Sequence, residues 1–327
     1  MKILGDSKRD LKRGLMLKRT GQILLLAGPL GVAVLLGLLG LVFPSLNDLG
    51  LVAALLGFVV APSGFLLSLF LAFKLIYRGK QYSARGKAAK AEADARQPVL
   101  YFRPFVMDEV VSRLFRQALG RGVWPWFFSV EEQLADALEP IGPLVAIGKP
   151  GEQLPTPGAV REYFDATTWQ KAVQRWLSIA RIIILRPGIS EGLWWELKEA
   201  VAAKTAERLL ILMLKMKQAE YLRFSQVLGD RLGIRLPDVY EVRRWRRVSG
   251  FFEFNAAWQA HFLPLKAPFM RTEPYRPLMA AFNHTLQPLF TRFGVTWLPS
   301  SVSKFKLIAI GLSLISLILF VAWYLTS

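Results

Sequence analysis

The sequence predicts an α/β protein in which a mostly parallel sheet is flanked by helices, combined with three membrane-spanning helices. Short apolar runs alternate with amphipathic stretches from residue 98 to residue 217, which is the pattern of successive βα units. Longer apolar runs lie at residues 21–43, 51–77 and 307–325, and about 20 such residues cross a bilayer. A hydrophobic content of 53% indicates more apolar side chains than one ordinary domain buries.

Five segments follow from these runs. They are a basic N-terminus at 1–20, a hairpin of two membrane helices at 21–77, a linker at 78–97, the α/β domain at 98–303 and a C-terminal membrane helix at 304–327. Lysine and arginine flank the hairpin on one side only, which predicts that the N-terminus and the α/β domain are cytoplasmic and that the C-terminus lies outside. A cleaved signal peptide is the alternative interpretation of the first run.

The content of cysteine, histidine and charged residues limits the kinds of site and partner that this chain can have. The chain has no cysteine and only two histidines, so disulfides and thiolate metal sites are excluded, and no metal site is predicted. The net charge of +18 indicates contact with anionic lipid headgroups, since much of it flanks the apolar runs. The basic cluster at 243–247 is the one candidate nucleic-acid contact, but no nucleic-acid motif accompanies it and such binding is not expected.

Within the α/β domain the elements are predicted in order. Strands are expected at Val99–Phe102, Leu144–Ile147, Ile182–Leu185 and Leu209–Leu214, and helices at Ser129–Ile141, from Thr167, and at Ser190–Lys204. Ser129 and Glu132 have the spacing of a capping box. Beyond Lys217 the pattern weakens to a helix at 219–232, strands near 251–254 and 258–262, and a helix at 274–290.

Ligands of open parallel sheets bind beyond the carboxyl ends of the strands. The loops that this rule selects carry four cations, namely Arg103, Lys149, Arg161 and Arg186. Helix amino termini add partial positive charge, so a phosphate-bearing small molecule suits this edge. The alternative is that these side chains are solvated loop charges.

Glu196 is the candidate catalytic residue. It lies within two turns of the start of the helix that follows the third strand, where a carboxylate can bind ribose hydroxyls or stabilise positive charge at a glycosidic carbon. A carboxylate that merely favours the first turns of a helix is the alternative. Trp194 and Trp195 point about 100° apart on that helix, so one can line the crevice, although core packing of both is the default.

At these residues the chain resembles Toll/interleukin-1 receptor (TIR) domains and is similar to nucleoside deoxyribosyltransferase-like proteins, both flavodoxin-like α/β folds. The resemblance covers residues 99–214. It rests on Arg103-Pro104-Phe105 with Asp108, on the strands Val145–Ile147 and Ile182–Leu185, and on Ser190, Trp194 or Trp195, and Glu196-Leu197. The arrangement with membrane helices is similar to that of bacterial membrane proteins, which implies the bacterial inner membrane.

The resemblance implies that Glu196 supports cleavage of the nicotinamide–ribose bond of NAD. The loop after the first strand would contribute Arg103 and Asp108, and residues 149–158 would form a mobile loop over the site. NAD or another nucleotide is then a substrate or ligand, and no cofactor is required. A signalling or defence effector that works as a homo-oligomer is the function that follows.

Two other functions stay open at this point. A non-catalytic module would bind a nucleotide or a protein and pass that event to the membrane segments. A channel is a weaker candidate, because the apolar runs contain almost no charge to line a polar path.

Overall fold

The computed structural model describes residues 2–42, 50–86, 94–104, 128–148, 157–164, 167–203, 205–244, 247–266 and 277–295. These residues form two compact units, which divide between residues 83 and 84. The first unit is helical and the second is α/β.

Two long helices make up the described part of the first unit, α1 at Lys2–Val42 and α2 at Gly50–Gly86. They run antiparallel and approach closely at glycines seven residues apart. Gly14 abuts the backbone of Gly79, and Gly21 abuts the backbone of Ala72, so that neither position has room for a Cβ. Gly28 abuts the side chain of Ser68. The seven-residue spacing of these glycines keeps the same face of α1 against α2.

The prediction of three membrane-spanning helices is wrong for the part of the chain that the structure describes. No helix in that part combines the length and the apolar character needed to cross a membrane. Each of the first two apolar runs is part of a longer helix, because α1 also contains the basic segment before its run and α2 the basic segment after its run. The predicted inner-membrane localisation and its sidedness lose their basis with this correction. The third run, at 307–325, lies outside the described residues.

The second unit contains eight strands and seven α-helices among its described residues. The strands are β1 Val99–Phe102, β2 Leu144–Ile147, β3 Val160–Glu162, β4 Ile182–Leu185, β5 Leu209–Lys217, β6 Arg243–Arg244, β7 Arg247–Phe254 and β8 Ala260–Pro264. The helices are α3 Val130–Leu138, α4 Trp169–Ile179, α5 Glu191–Ala202, α6 Gln218–Leu232, α7 Val239–Val242, α8 Pro277–Thr285 and α9 Gln287–Arg292.

One sheet contains all eight strands, in the order β3-β2-β1-β4-β5-β7-β6 with β8 also paired to β7. The first five are parallel; β7 pairs antiparallel with β5, and both β6 and β8 pair antiparallel with β7. The sheet is therefore mixed, where the sequence predicted a mostly parallel one. In a flavodoxin-like sheet, the neighbour of β5 on this side would be a further parallel strand. Here β7 starts opposite Lys217, at the carboxyl end of β5, and so runs back along it.

Helices cover both faces of the sheet, which gives the three layers of an α/β protein. One face, with Leu100 and Ile183 in its core, packs against α4, α5 and α6. The opposite face, with Tyr101 and Ile184, packs against α3, α8 and α9. All four residues of β1, β2 and β4 are buried, because such strands have helices on both sides.

Several local predictions are confirmed. The strands Val99–Phe102, Leu144–Ile147 and Ile182–Leu185 have the predicted bounds. The Ser129 hydroxyl accepts from the Glu132 N–H at 3.0 Å, and the Ser129 N–H donates to the Glu132 carboxylate at 2.9 Å, so the predicted capping box is present. The predicted helix at 274–290 is two helices, α8 and α9, within the residues that the structure describes.

Candidate functional site

The candidate site lies where the chain changes direction in the sheet. From β1 the order runs to β2 on one side and to β4 on the other. Helix α3 packs on one face of the sheet and α5 on the opposite face. A crevice forms outside the carboxyl ends of strands at such a switch point, and it is the usual ligand site of open α/β sheets.

Glu196 lies on the face of α5 that packs against the sheet. Leu193, Leu197 and Ala200, which share that face at helical spacing, are all buried in the core. Glu196 has only 7% of its surface exposed. Within the described part of the chain, no hydrogen bond is made to its carboxyl group. An acid therefore occupies a position where the helix otherwise carries apolar side chains.

Burial decides the protonation state of this acid. Desolvation raises the pKa of Glu196 to about 8, although the positive charge of Arg103 acts in the opposite direction. At neutral pH the carboxyl group is then mainly neutral. An ionised form becomes favourable when additional positive charge approaches, because an opposite charge nearby stabilises the carboxylate.

Arg103 lies at the end of β1, between α3 on one face of the sheet and α5 on the other. Its side chain is 3% exposed, and its Nε lies 3.5 Å from the Glu131 Oε2 atom on α3. Its charge also reaches Glu196 on α5. The alternation of side chains along β1 explains this position, since Phe102 faces α5 and the next residue turns toward α3.

Glu131 connects this arginine to a second one. Its carboxylate lies 3.3 Å from the Arg161 Nη2 atom and accepts from the Ala159 N–H at 3.1 Å. The Arg161 side chain is fully buried on β3. Gly158, with φ +141°, allows the chain to pass against Glu131, where a Cβ would lie 2.6 Å from the Glu131 carbonyl carbon. Arg103, Glu131 and Arg161 are called the arginine cluster below.

Arg186 follows β4 beside the arginine cluster. It is half-buried, its N–H donates to the Phe102 carbonyl at 2.8 Å, and its positive charge acts on the buried Tyr101 hydroxyl. Burial raises the pKa of Tyr101, so this hydroxyl stays neutral. Arg103 and Arg161 lie against the Glu131 carboxylate and Arg186 follows the neighbouring strand, so three arginines lie near this one acid.

The remaining predicted residues of α5 have structural partners. The Ser190 hydroxyl caps the helix by accepting from the Leu193 N–H at 3.4 Å. Trp194 stacks on Phe224 with ring centroids 5.5 Å apart. Trp195 meets Trp169 edge to face, with centroids 4.8 Å apart. Contact of either tryptophan with a ligand stays a prediction.

The structure brings Arg103, Arg161, Arg186 and Glu196 to one edge of the sheet. Asp108 and Lys149, which the sequence also singled out, lie outside the described residues, as do residues 149–156 of the predicted mobile loop. Glu131 was not predicted as a site residue. Its sequence signal, an acid in the first turn of a helix, is common and indicates only a favourable helix dipole.

No metal centre is evident at this edge. Among the described residues, no three His, Asp or Glu side chains come together in a way that would hold a metal ion. The charged and titratable groups at this edge are the buried Arg103 and Arg161, the half-buried Arg186 and the Glu196 carboxyl group. These suit an anionic organic molecule that bears hydroxyl groups.

Comparison with known proteins gives no relative from which a function could be transferred: no family model, no curated protein and no solved structure matches this chain.

Proposed function

We propose that the α/β unit binds a nucleotide at the carboxyl edge of β1 and β4 and cleaves its N-glycosidic bond, with NAD as the leading substrate. The observation that carries the proposal is the buried acid at position 196, on the sheet-packing face of α5 and within the field of Arg103. The proposal extends the resemblance to TIR domains, which the sequence carries at Ser190 and Glu196-Leu197.

Burial of an acid costs stability, so its position needs a reason. Replacing Glu196 by an apolar residue would match its neighbours Leu193 and Leu197 and would remove the desolvation cost. Acids with pKa values shifted toward neutrality by burial and a specific charge partner cluster at functional sites. The location at the switch point adds an independent reason, since ligands of such sheets bind there.

The chemistry needs one carboxylate beside the reacting carbon. When the bond between ribose C1′ and the nicotinamide nitrogen breaks, its electron pair leaves with the nicotinamide ring, which becomes neutral. Positive charge then develops on the ribose ring, and an ionised Glu196 stabilises it. Water adds to C1′ and releases a proton, so the products are nicotinamide, ADP-ribose and H⁺.

The positive charge at this edge of the sheet favours binding of the same nucleotide. The pyrophosphate of a dinucleotide carries two negative charges, and arginine pairs with phosphate oxygens through its planar guanidinium. Arg103 and Arg186 follow the neighbouring strands β1 and β4, and the charge of Arg103 acts on Glu196. Phosphate at these arginines would place an attached ribose toward α5.

A second candidate is a module that binds the nucleotide without cleaving it. One observation favours it: with a pKa of about 8, the neutral Glu196 carboxyl group both donates and accepts hydrogen bonds at neutral pH. A ribose diol fits such a group without any reaction. Product formation separates the two candidates.

The experiment is NAD turnover by the purified full-length protein, followed as nicotinamide release over a range of protein concentrations because a homo-oligomer is expected. Glu196→Gln is expected to reduce turnover about 100-fold or more, as for the loss of a group that acts on developing charge. Glu199→Gln is the matched control, because Glu199 lies on the same helix and bonds instead to Gln174. Equal turnover by the native and Glu196→Gln proteins contradicts the proposal, as does absence of turnover at every concentration.

A further inference from the structure

An aromatic side chain lies at the same edge of the sheet, at the end of β3 and on the far side of Arg103 from the helix that carries Glu196. Tyr163 directly follows β3, and its ring rests on Gly148, the residue that follows β2. A Cβ at position 148 would lie 2.5 Å from the Tyr163 Cε1 atom, so the ring can occupy this position only beside glycine. The tyrosine is 39% exposed, which is high for a large ring held against the backbone.

The strand order places these groups in a row. Tyr163 follows β3, Gly148 follows β2, Arg103 follows β1 and Arg186 follows β4, and these four strands are neighbours in that order. Parallel strands lie about 4.8 Å apart, so the row is roughly 14 Å long from β3 to β4. Glu196 lies on α5, which follows β4 in the chain. The edge therefore presents an aromatic ring, then cations, then an acid.

We propose that Tyr163 is a stacking platform for a planar heteroaromatic base, a purine in the case of NAD, in a ligand whose glycosidic bond lies at Glu196. This inference rests on the proposed function. Phosphates at the central arginines would join the two halves of the ligand, and one nucleoside alone would not reach from Tyr163 to Glu196. Stacking on an aromatic side chain selects for a flat ring without reading its hydrogen-bonding groups.

The test is calorimetric binding to the full-length protein carrying Glu196→Gln, so that the probes are not consumed. The probes are NAD and nicotinamide mononucleotide, which lacks the adenosine half. Tyr163→Leu, which keeps an apolar contact with Gly148 without the ring, is expected to raise the Kd for NAD about tenfold or more. The Kd for nicotinamide mononucleotide is expected to stay within about twofold of its starting value, since that probe makes no stacking contact.

Two further variants control for structure. Tyr163→Phe keeps the ring and is expected to bind NAD like its parent. Tyr240→Ala removes another exposed tyrosine, next to α6 and β7 on the other half of the sheet, and is expected to change neither Kd.

The proposal is overturned if Tyr163→Leu weakens both probes equally or neither, or if no protein binds NAD. Selective loss of NAD affinity together with unchanged turnover in Glu196→Gln would preserve the stacking platform and reject the cleavage reaction. Loss of turnover in Glu196→Gln with no effect of Tyr163→Leu on NAD binding would support the cleavage reaction and reject the stacking platform.

Discussion

The Arg161 Nη2 atom lies 3.3 Å from the Glu131 Oε1 atom, at a place where the Arg161 side chain has no exposed surface. The same carboxylate lies 3.5 Å from the Arg103 Nε atom. One buried acid thus holds two buried arginines, from β3 and from the end of β1. Arg103 is fixed in this way near Glu196, and the positive edge of the site depends on Glu131.

Removing the acid of the arginine cluster is expected to destabilise the α/β unit strongly. Glu131→Gln removes a buried counter-charge that lies against two buried guanidinium groups, which costs about 3–5 kcal/mol in the free energy of unfolding. Glu139→Gln is the control, because Glu139 pairs with Arg96 at the surface and such pairs contribute about 0–1 kcal/mol. Urea denaturation of both variants measures the difference. A loss in Glu131→Gln no larger than in Glu139→Gln would show that the buried pairs do not stabilise the fold.

A second prediction concerns the glycine beside Glu131. Gly158→Ala combines a φ of +141° with a Cβ 2.6 Å from the Glu131 carbonyl carbon, so we expect a loss of about 2 kcal/mol or more. Gly233→Ala is matched to it, because Gly233 also has positive φ, +71°, but its Cβ would meet open space. Its expected loss is about 1 kcal/mol, from the left-handed backbone alone. Thermal unfolding compares the two, and an equal change in Tm would contradict the close contact at Gly158.

The raised pKa of Glu196 predicts how stability depends on pH. The folded state keeps this proton up to about pH 8, whereas the unfolded chain loses it near the ordinary value of 4.5. Between these two values the folded state binds more protons, so stability falls as pH rises. The full effect is about 5 kcal/mol at most, at about 1.36 kcal/mol for each pKa unit.

Glu196→Gln is the variant that checks this dependence, because glutamine resembles the neutral acid and does not titrate. Denaturation midpoints between pH 5 and pH 8.5 are expected to decline more steeply for the native protein than for Glu196→Gln. Above pH 8 the variant is expected to be the more stable of the two. Parallel declines would show that Glu196 titrates near its ordinary pKa.

Turnover is expected to depend on the same proton. Ionised Glu196 is the form that stabilises developing positive charge, so kcat/KM for NAD should rise with pH and level off above about pH 8. Below that value it should fall about tenfold for each pH unit. A rate that instead falls as pH rises through 8 would assign the neutral acid as the active form.

The strands next to the site were predictable from sequence because each is a short, uninterrupted apolar run. Ile182–Leu185 is the clearest case, with all four residues buried under helices on both faces. The capping box of Ser129 and Glu132 was predictable because it depends on residues three apart. Glu196 could be selected because it follows such a strand at the start of a helix.

Other parts of the site had no local signal. Strand β3 has three residues, two of them charged, and Arg161 is buried there because of Glu131, thirty positions earlier. No periodicity reveals such a pair. The antiparallel strands after Lys217 depend on where the chain returns to the sheet, which the order of apolar runs does not specify. The apolar runs near the N-terminus predicted membrane helices because each was considered as a separate segment with basic flanks, whereas each run and its basic flank belong to one longer helix.

The most direct test of the central claim is a crystal structure of the Glu196→Gln protein with NAD bound. We expect the nicotinamide ribose to lie within hydrogen-bonding distance of residue 196, with the pyrophosphate beside Arg103 and Arg186. NAD bound elsewhere on the chain, or bound in this crevice with its nicotinamide ribose away from residue 196, would contradict it.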